Sequence, residues 1–543
     1  MVRRSVYICL TLALVACASG LKQQMKDYRK SLELNQFDKA QSILAKSKLK
    51  ENEKSKLLWF LENGSVSLLQ KNYDEAISNF QAAIDLIDDL YTTKVSSKVA
   101  SFVINDAQDV YYGSPHERSL VYYYLARAYY EKYLAKQDRK DLFSARAAIL
   151  AWDSYFQTLN RADIKTIYRS DLLMKVFGAQ IHEQIQTAQD SQIALQLYKD
   201  ALNLSERLGG IYSYFNEKAD KFIKASEEKL MKDSEISKKY FSSTAGYKDF
   251  VEFLHFKILS LTYQVRRYDF DILSKDFKAS PELIKRAKKE HNIKILLEEN
   301  LIAQKVGEKF SFGLKGAMGK VDDQKTKQAI LTQGAPVIAA FAMNVLKLYP
   351  SRSTNPGDFI FAHQVTTLAV TEAAIEFELP VIEKKENLKR LGLYILDESD
   401  KVIEIRPLAL ITETSDLARL VLEENVVSQY VATGSRVAVK HLAAIVAAMG
   451  IYQQLKNNDL LARSMAIASY IGASKAIAWM EEADTRQWLS LPDAIRMQEF
   501  SLKPGKYKLG ISTFSQDQWP QVPSKILGEI EVSKNKELFT FRL

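Results

Sequence analysis

The stretch from Leu57 to Leu86 reads L-L-W-F-L-E-N-G-S-V-S-L-L-Q-K-N-Y-D-E-A-I-S-N-F-Q-A-A-I-D-L. Gly64, Tyr73, Ala76, Phe80 and Ala83 fall in it at the spacings of a tetratricopeptide repeat. The small residues let two antiparallel helices approach closely, and the two rings fill the gap between them. Phe37, Ala40 and Leu44 stand 36 residues before Tyr73, Ala76 and Phe80, a weaker copy of the same idea. Later segments repeat it with drift, at Ala145, Ile149 and Trp152 and again at Ala194, Tyr198 and Ala201. Repeats of this kind must stack to bury a core, so an α-helical solenoid is expected from about Leu21 to Leu208.

Working outward, the N-terminus reads as a leader. Arg3 and Arg4 form a short positive region, and Ser5 to Ala16 is apolar but too short to span a bilayer. It ends in Leu14-Val15-Ala16-Cys17, which resembles a bacterial lipobox. Residues 1–16 are therefore expected to be a signal peptide and Cys17 the site of lipid attachment. Ala18 and Ser19 follow, with no aspartate to retain a lipoprotein at the inner membrane, so the expected place is the outer membrane, facing the periplasm. The chain's two cysteines are Cys9 and Cys17, which leaves no thiol for a disulfide, a metal or nucleophilic catalysis once the leader is gone and Cys17 is acylated. Losing Arg3 and Arg4 lowers the formal net charge from +9 to +7. More than 500 residues of ordinary composition suffice for two or three domains.

Tyr111 to Ser119, Y-Y-G-S-P-H-E-R-S, places a serine, a histidine and a glutamate within four positions. Adjacent side chains in a helical first turn fan outward and cannot converge as a hydrolytic triad. Ser114 instead suits an N-cap, Pro115 the first helical position and Glu117 the carboxylate of a capping box, with Gly113 supplying the turn and Arg118 following. On the helix that starts there, Tyr122, Tyr129, Tyr130 and Tyr133 share one broad face with Ala126. Such a stripe is either core or a partner-binding groove; these four tyrosines are the candidate partner-binding residues.

From Asn216 to Ile295 the chain stays helix-like and turns lysine-rich, with 18 Lys/Arg against 12 Asp/Glu between Lys218 and Lys294. Pro281 breaks this stretch, and Lys285, Arg286, Lys288 and Lys289 follow on a short helix. A periplasmic address argues against nucleic acid, so anionic phospholipid or peptidoglycan are the partners such charge would suit, if it is more than a solvated face.

Beyond Glu298 the character changes. Phe312 to Lys320 imitates a phosphate loop, but Leu314 and Val321 occupy the positions that need Gly and Ser/Thr. Ser351 to Asp358 is a second loop, and Ile375 to Leu379 alternates like a strand. Leu391 to Leu396 and Val402 to Thr412 form a hairpin around Asp397-Glu398-Ser399-Asp400. Asp416 to Leu455 and Asp459 to Ala483 are long helical regions, which Lys440, His441, Arg463 and Lys475 mark as packed helices and not membrane spans. Strands return at Met497 to Leu502, Lys506 to Thr513, Ile526 to Val532 and Glu537 to Leu543, with a Pro504-Gly505 turn. Histidines are scattered and no metal, cofactor or nucleophile motif occurs, so no catalytic, cofactor or metal residue is assigned. The pairs Glu298-Glu299, Glu423-Glu424 and Glu481-Glu482 point different ways on a helix and are expected to be solvated.

Asp484-Thr485-Arg486-Gln487-Trp488-Leu489-Ser490-Leu491-Pro492 closes the last long helix, and an Asp484/Arg486 pair beside Trp488 is expected to pin the helices to the terminal strands. With the lipobox, the helical repeats and Tyr112-Gly113 followed by Glu117-Arg118, this motif resembles a family of uncharacterised bacterial lipoproteins. The resemblance implies an N-terminal tetratricopeptide-like part and a C-terminal α/β part. It also implies a gene neighbourhood of lipoproteins similar to penicillin-binding-protein activators. It carries no catalytic residues with it.

The expected fold is thus mainly α: a tetratricopeptide-like solenoid over 17–215, a lysine-rich helical segment over 216–297, and an α+β domain with a small antiparallel sheet over 298–543. The expected function is a non-enzymatic scaffold that holds protein partners in the cell envelope, on the membrane through lipidated Cys17. An envelope hydrolase or transglycosylase with carboxylates brought together by folding is the competing class, and an accessory lipoprotein of a secretion or surface-assembly system the third.

Overall fold

The computed structural model describes residues 21–94, 110–161, 168, 170–206, 234–312, 364, 375–383, 389–514, 519–533 and 537–543. The leader, Cys17, the imitation phosphate loop beyond Phe312 and the loop at Ser351 to Asp358 lie outside these residues. The protein is mainly helical with some sheet.

The first helices are α1 (21–33), α2 (Phe37–Lys46), α3 (Lys56–Leu69) and α4 (Tyr73–Lys94). They are followed by α5 (Pro115–Lys136), α6 (Arg139–Arg161), α7 (Leu172–Ile185) and α8 (Ala188–Glu206), and each packs on the next in chain order from α2 onward. Close approach is built in by glycine. A Cβ on Gly64 of α3 would stand 2.7 Å from the Phe80 ring of α4, and one on Gly178 of α7 would stand 2.9 Å from Ile149 of α6. Ala40, Leu44, Ala76, Phe80, Ala145, Ile149, Trp152, Ala194, Tyr198 and Ala201 are all buried, none above 3% exposure. Single residues end the helices: Lys71, Gln137 and Gln186 take left-handed φ of 63°, 57° and 64° where the chain reverses.

Next come α9 (Ser234–Val265), α10 (Arg267–Asp276) and α11 (Pro281–Ala287), with α9 against α8. Ser280 caps α11 by accepting from the Leu283 N–H at 3.1 Å, with Pro281 at the first helical position. The remaining elements are β1 (Ile293–Leu301), β2 (Lys305–Phe312), β3 (Ile375–Ile382), β4 (Leu391–Leu396), β5 (Val402–Pro407) and β6 (Ala409–Glu413). Then follow α12 (Thr414–Leu455), α13 (Asp459–Met480), β7 (Pro492–Phe500), β8 (Gly505–Thr513), β9 (Lys525–Val532) and β10 (Glu537–Arg542).

Where one small antiparallel sheet was expected, the described strands form two four-stranded sheets, β10-β1-β7-β6 and β5-β4-β8-β9, and a β2-β3 ribbon. The first sheet is mixed, because the C-terminal strand β10 runs parallel to β1. The stretch expected as one strand from Val402 to Thr412 is divided at Leu408, so β5 joins one sheet and β6 the other. A boundary at residue 298 also fails, since Glu298 lies inside β1.

Strand β1 explains why no boundary can fall there. Its alternation sends Ile293, Ile295 and Leu297 into the core between the two sheets, while Leu296 joins the helical core. Lys294 and Glu298 face the helices too and meet charges there: Lys294 Nζ lies 3.3 Å from Glu183 of α7, and Glu298 lies 2.5 Å from Arg127 of α5. Helices, mixed sheet and antiparallel sheet thus make three layers. The helical core reaches Trp488, Leu491, Ile495 and Met497 without interruption. A separate core joins α12 and α13 to Phe377 and Leu379 of β3.

Candidate functional site

Both short motifs singled out in the sequence meet at one place. Gly113 takes φ +69°, a left-handed turn, and its Cα lies against the stem of Arg118, so a Cβ would stand 3.4 Å from Arg118 Cγ. The backbone N–H of Ser114 donates to Glu117 Oε2 at 2.6 Å, which closes the first turn of α5. The other oxygen of Glu117 accepts from the backbone N–H of Trp488 at 2.7 Å. Trp488 is itself fully buried, with Nε1 donating to Ser65 at 3.0 Å and Ser490 at 2.8 Å, and its ring 5.2 Å from Tyr124.

Glu62 of α3 holds the next residues. It accepts from the N–H of Leu489, from that of Ser490 at 3.2 Å and from Tyr28 Oη at 2.9 Å. Burial raises its carboxyl to about 7. Asp484 and Arg486 pair at 2.7 Å, Arg486 donates to the Lys54 carbonyl at 3.0 Å, and its guanidinium lies 5.5 Å from the centre of the Tyr111 ring. Asp484, Arg486 and Trp488 therefore join the loop after α13 to α3, to α5 and to the turn before α3.

Beside this joint is a cleft of about 310 Å³. Its walls are Val110 to Ser114 before α5, Lys305 of β2, Glu378 to Pro380 of β3, Gln429, Thr433 and Arg436 of α12, and Glu481 to Asp484. Four carboxylates line it, which no spacing in the sequence announces. Three of them are spent on cations. Glu481 is paired with Arg436 at 3.0 Å and Lys440 at 2.6 Å, Glu482 with Lys22 at 2.8 Å, and Asp484 with Arg486. Glu378 accepts only a long 3.5 Å contact from the Ala483 N–H, and the Lys305 amine makes no ion pair among the described residues.

Other expectations change. Tyr122 and Tyr130 are 6% and 1% exposed, and Tyr129 and Tyr133 pack partly buried against the same core. Tyr122 meets Tyr155, Tyr130 meets Phe177, and the Tyr129 hydroxyl accepts from Gln81. Among the described residues the stripe faces the neighbouring helices, because α5 is flanked by α4 and α6. Glu298 and Glu481 are buried, where solvated pairs were expected; the side chains of Glu423 and Glu424 lie outside the described residues. In the basic quartet Lys285, Lys288 and Lys289 are exposed, but Arg286 is buried. It donates to Gln498 at 2.5 Å, stacks 3.8 Å over Phe256, and burial lowers it to about 9.

His116 is buried with both ring nitrogens unpartnered among the described residues, and burial lowers it to about 4. No group of His, Cys, Asp or Glu among the described residues could hold a metal ion. No protein-family model, curated protein or solved structure matches the chain.

Proposed function

We propose that this protein is a lipoprotein anchored through Cys17 to the outer membrane and facing the periplasm, where it serves as a non-catalytic scaffold for a partner in envelope or peptidoglycan-related assembly. In that role its serial helical hairpins act as a tetratricopeptide-like solenoid, and the α+β part is the platform fused to it. The observation that carries the proposal is the state of the cleft. A glycosidase-like site needs one carboxyl free to give a proton and another free to attack or activate water. Glu481, Glu482 and Asp484 are instead each neutralised by a cation. Paired charges around an open hollow suit the recognition of an extended segment better than proton transfer.

A photo-crosslinking residue in place of Tyr112, which lines the cleft, tests this in intact cells, with Tyr268, 96% exposed on α10, as the control position. Discrete protein adducts at Tyr112 that are absent at Tyr268 are expected. A penicillin-binding protein would favour peptidoglycan synthesis, and a secretion channel would favour the accessory role. Cleavage of sugar strands by the purified protein, lost in Glu378→Gln, would replace the scaffold with a hydrolase.

A further inference from the structure

The hairpin of α12 and α13 has an unusual surface. Gln429–Leu455 is long and apolar enough to cross a membrane by length and composition, yet only 39% of its most apolar window is buried. A core helix of a water-soluble protein passes the same test while mostly covered. Here Val439, Val446, Leu460, Leu461, Met465 and Ile471 are all exposed, Val446 to 53% and Leu460 to 78%. Exposed apolar side chains concentrated on one element mark an interaction surface.

The polar groups of the hairpin are placed at its ends. At the root Glu481 pairs with Arg436 and Lys440, and Glu482 pairs with Lys22. At the turn are Lys456, Asn457, Asn458 and Asp459, with Arg463 donating to Asp459 at 3.1 Å. Residues 441–455 and 464–474 carry no Asp, Glu, Lys or Arg. From Arg436 to Lys456 a helix rises about 30 Å at 1.5 Å per residue, and the hydrocarbon of a bilayer is about 30 Å thick. Lys475 lies near the root, where its stem can carry the amine to the interface.

The seam between the helices is also of the kind that lipid-embedded helices use. Ala438, Ala448, Ala462 and Ala466 are buried there, and His441 Nδ1 lies 3.1 Å from Tyr470 Oη. A second observation places the hairpin beside the anchor. Lys22 bonds Glu482 at the root, and Cys17 is five residues earlier in the chain. Five extended residues reach at most about 18 Å, so an acylated Cys17 would enter the membrane next to the root.

We infer that the α12–α13 hairpin inserts into the phospholipid bilayer beside Cys17, with its root cluster at the near headgroups and the turn at Lys456 to Asp459 at the far ones. This revises the sequence expectation of packed helices. Of the four residues that argued against a span, Lys440, Arg463 and Lys475 sit toward the ends, and His441, one position past Lys440, is buried and turned into the seam. The inference deepens the anchored-lipoprotein proposal but does not depend on lipidation.

The test uses the chain from Ala18, which keeps every described residue and contains no cysteine. Single variants Val446→Cys, Met465→Cys and Tyr268→Cys carry an environment-sensitive dye and are mixed with phosphatidylcholine–phosphatidylglycerol vesicles. The dye should shift blue and be quenched by acyl-chain quenchers at the first two positions, and stay unchanged at Tyr268→Cys. Val446→Lys with Met465→Lys should lower the vesicle-bound fraction at least about tenfold, since a charge at bilayer depth is costly. Val446→Leu should bind like the parent, and circular dichroism should show all variants folded. A dye at Val446→Cys already shielded without vesicles would overturn the inference: the face would be covered by the chain's own residues, or by a second copy if shielding depended on concentration. Binding to vesicles with that dye still in water would also overturn it.

Discussion

Glu117 accepts from the backbone N–H of Ser114 at 2.6 Å with one oxygen and from that of Trp488 at 2.7 Å with the other. One buried carboxylate therefore caps α5 and fastens a loop 371 residues away in the chain. Glu117→Ala would take the acceptor from the buried Trp488 N–H, at a cost of about 1–3 kcal/mol, and from the partly buried Ser114 N–H as well. The variant should lose several times more stability in urea unfolding than Ser114→Ala, for which a lost cap costs about 1 kcal/mol. Ser114→Asp should be tolerated. Equal losses for Glu117→Ala and Ser114→Ala would show that the Trp488 bond contributes nothing. A covalent adduct of a fluorophosphonate probe on Ser114 would overturn the structural role altogether.

Gly64 tests the helical packing. A methyl there would stand 2.7 Å from a ring carbon of Phe80, which is fully buried, so the ring must shift. Overpacking of this kind costs about 1–3 kcal/mol. Gly64→Ala should destabilise by that amount, and Phe80→Leu in the same chain should recover part of it. A double-mutant cycle with no coupling between the two would mean that α3 and α4 do not approach as described.

How far the sequence leads depends on the range of the interaction. Gly64 and Phe80 meet within one hairpin, so their spacing alone foretells the contact. The capping turn at Ser114 and Glu117 is equally local. What was hidden is what depends on distant partners. Glu298 and Glu481 look like solvated charges until Arg127 and Arg436 are brought to them. Arg286 looks like one of four surface cations until Phe256 and Gln498 enclose it. The tyrosine stripe of α5 was legible as a stripe, but only the flanking helices decide that it is core. The apparent strand is divided because the Leu408 N–H still bonds the Leu391 carbonyl of β4 at 2.8 Å while Ala409 already pairs with Met497 of β7, a change of partner that no periodicity encodes. The cleft is assembled from five separate stretches, and only the Tyr111 and Asp484 motifs among them were visible beforehand.

Glu62 and His116 give opposite responses to pH. The folded carboxyl of Glu62 is raised by burial to about 7 from the usual 4.5, so the native state binds the extra proton between those values. Its contribution is complete below about 4.5 and is lost as pH rises through 7. For His116 burial lowers the ring to about 4 from 6.5, so its contribution holds above 6.5 and is lost as pH falls toward 4. Glu62→Gln should therefore flatten the decline in stability between pH 5 and 8, by something on the order of 3 kcal/mol at about 1.4 kcal/mol per unit. His116→Phe should flatten the decline on the acid side. Thermal unfolding across pH separates them, and a Glu62→Gln profile parallel to the parent's would show that Glu62 is ionised throughout.

The basic quartet is no longer one patch, and this changes how membrane contact should be probed. Reversing Arg286 would put a carboxylate where its guanidinium now stacks on Phe256 and bonds Gln498, so Arg286→Glu should fail by unfolding and say nothing about lipid. Lys285, Lys288 and Lys289 are exposed, and reversing those three should change stability by less than about 1 kcal/mol. If these lysines meet anionic lipid, each contributes about 1 kcal/mol near a charged surface. The triple reversal would then weaken binding of the unlipidated chain to anionic vesicles, and salt would do the same to the parent, because screening limits exposed charges to about 8 Å. If the α12–α13 hairpin provides the contact, binding should persist in the triple variant, in high salt and on neutral vesicles. The second pattern is expected, because the apolar face is exposed whatever the charge of α11. Salt-sensitive binding that disappears on neutral vesicles would instead assign the surface to the lysines.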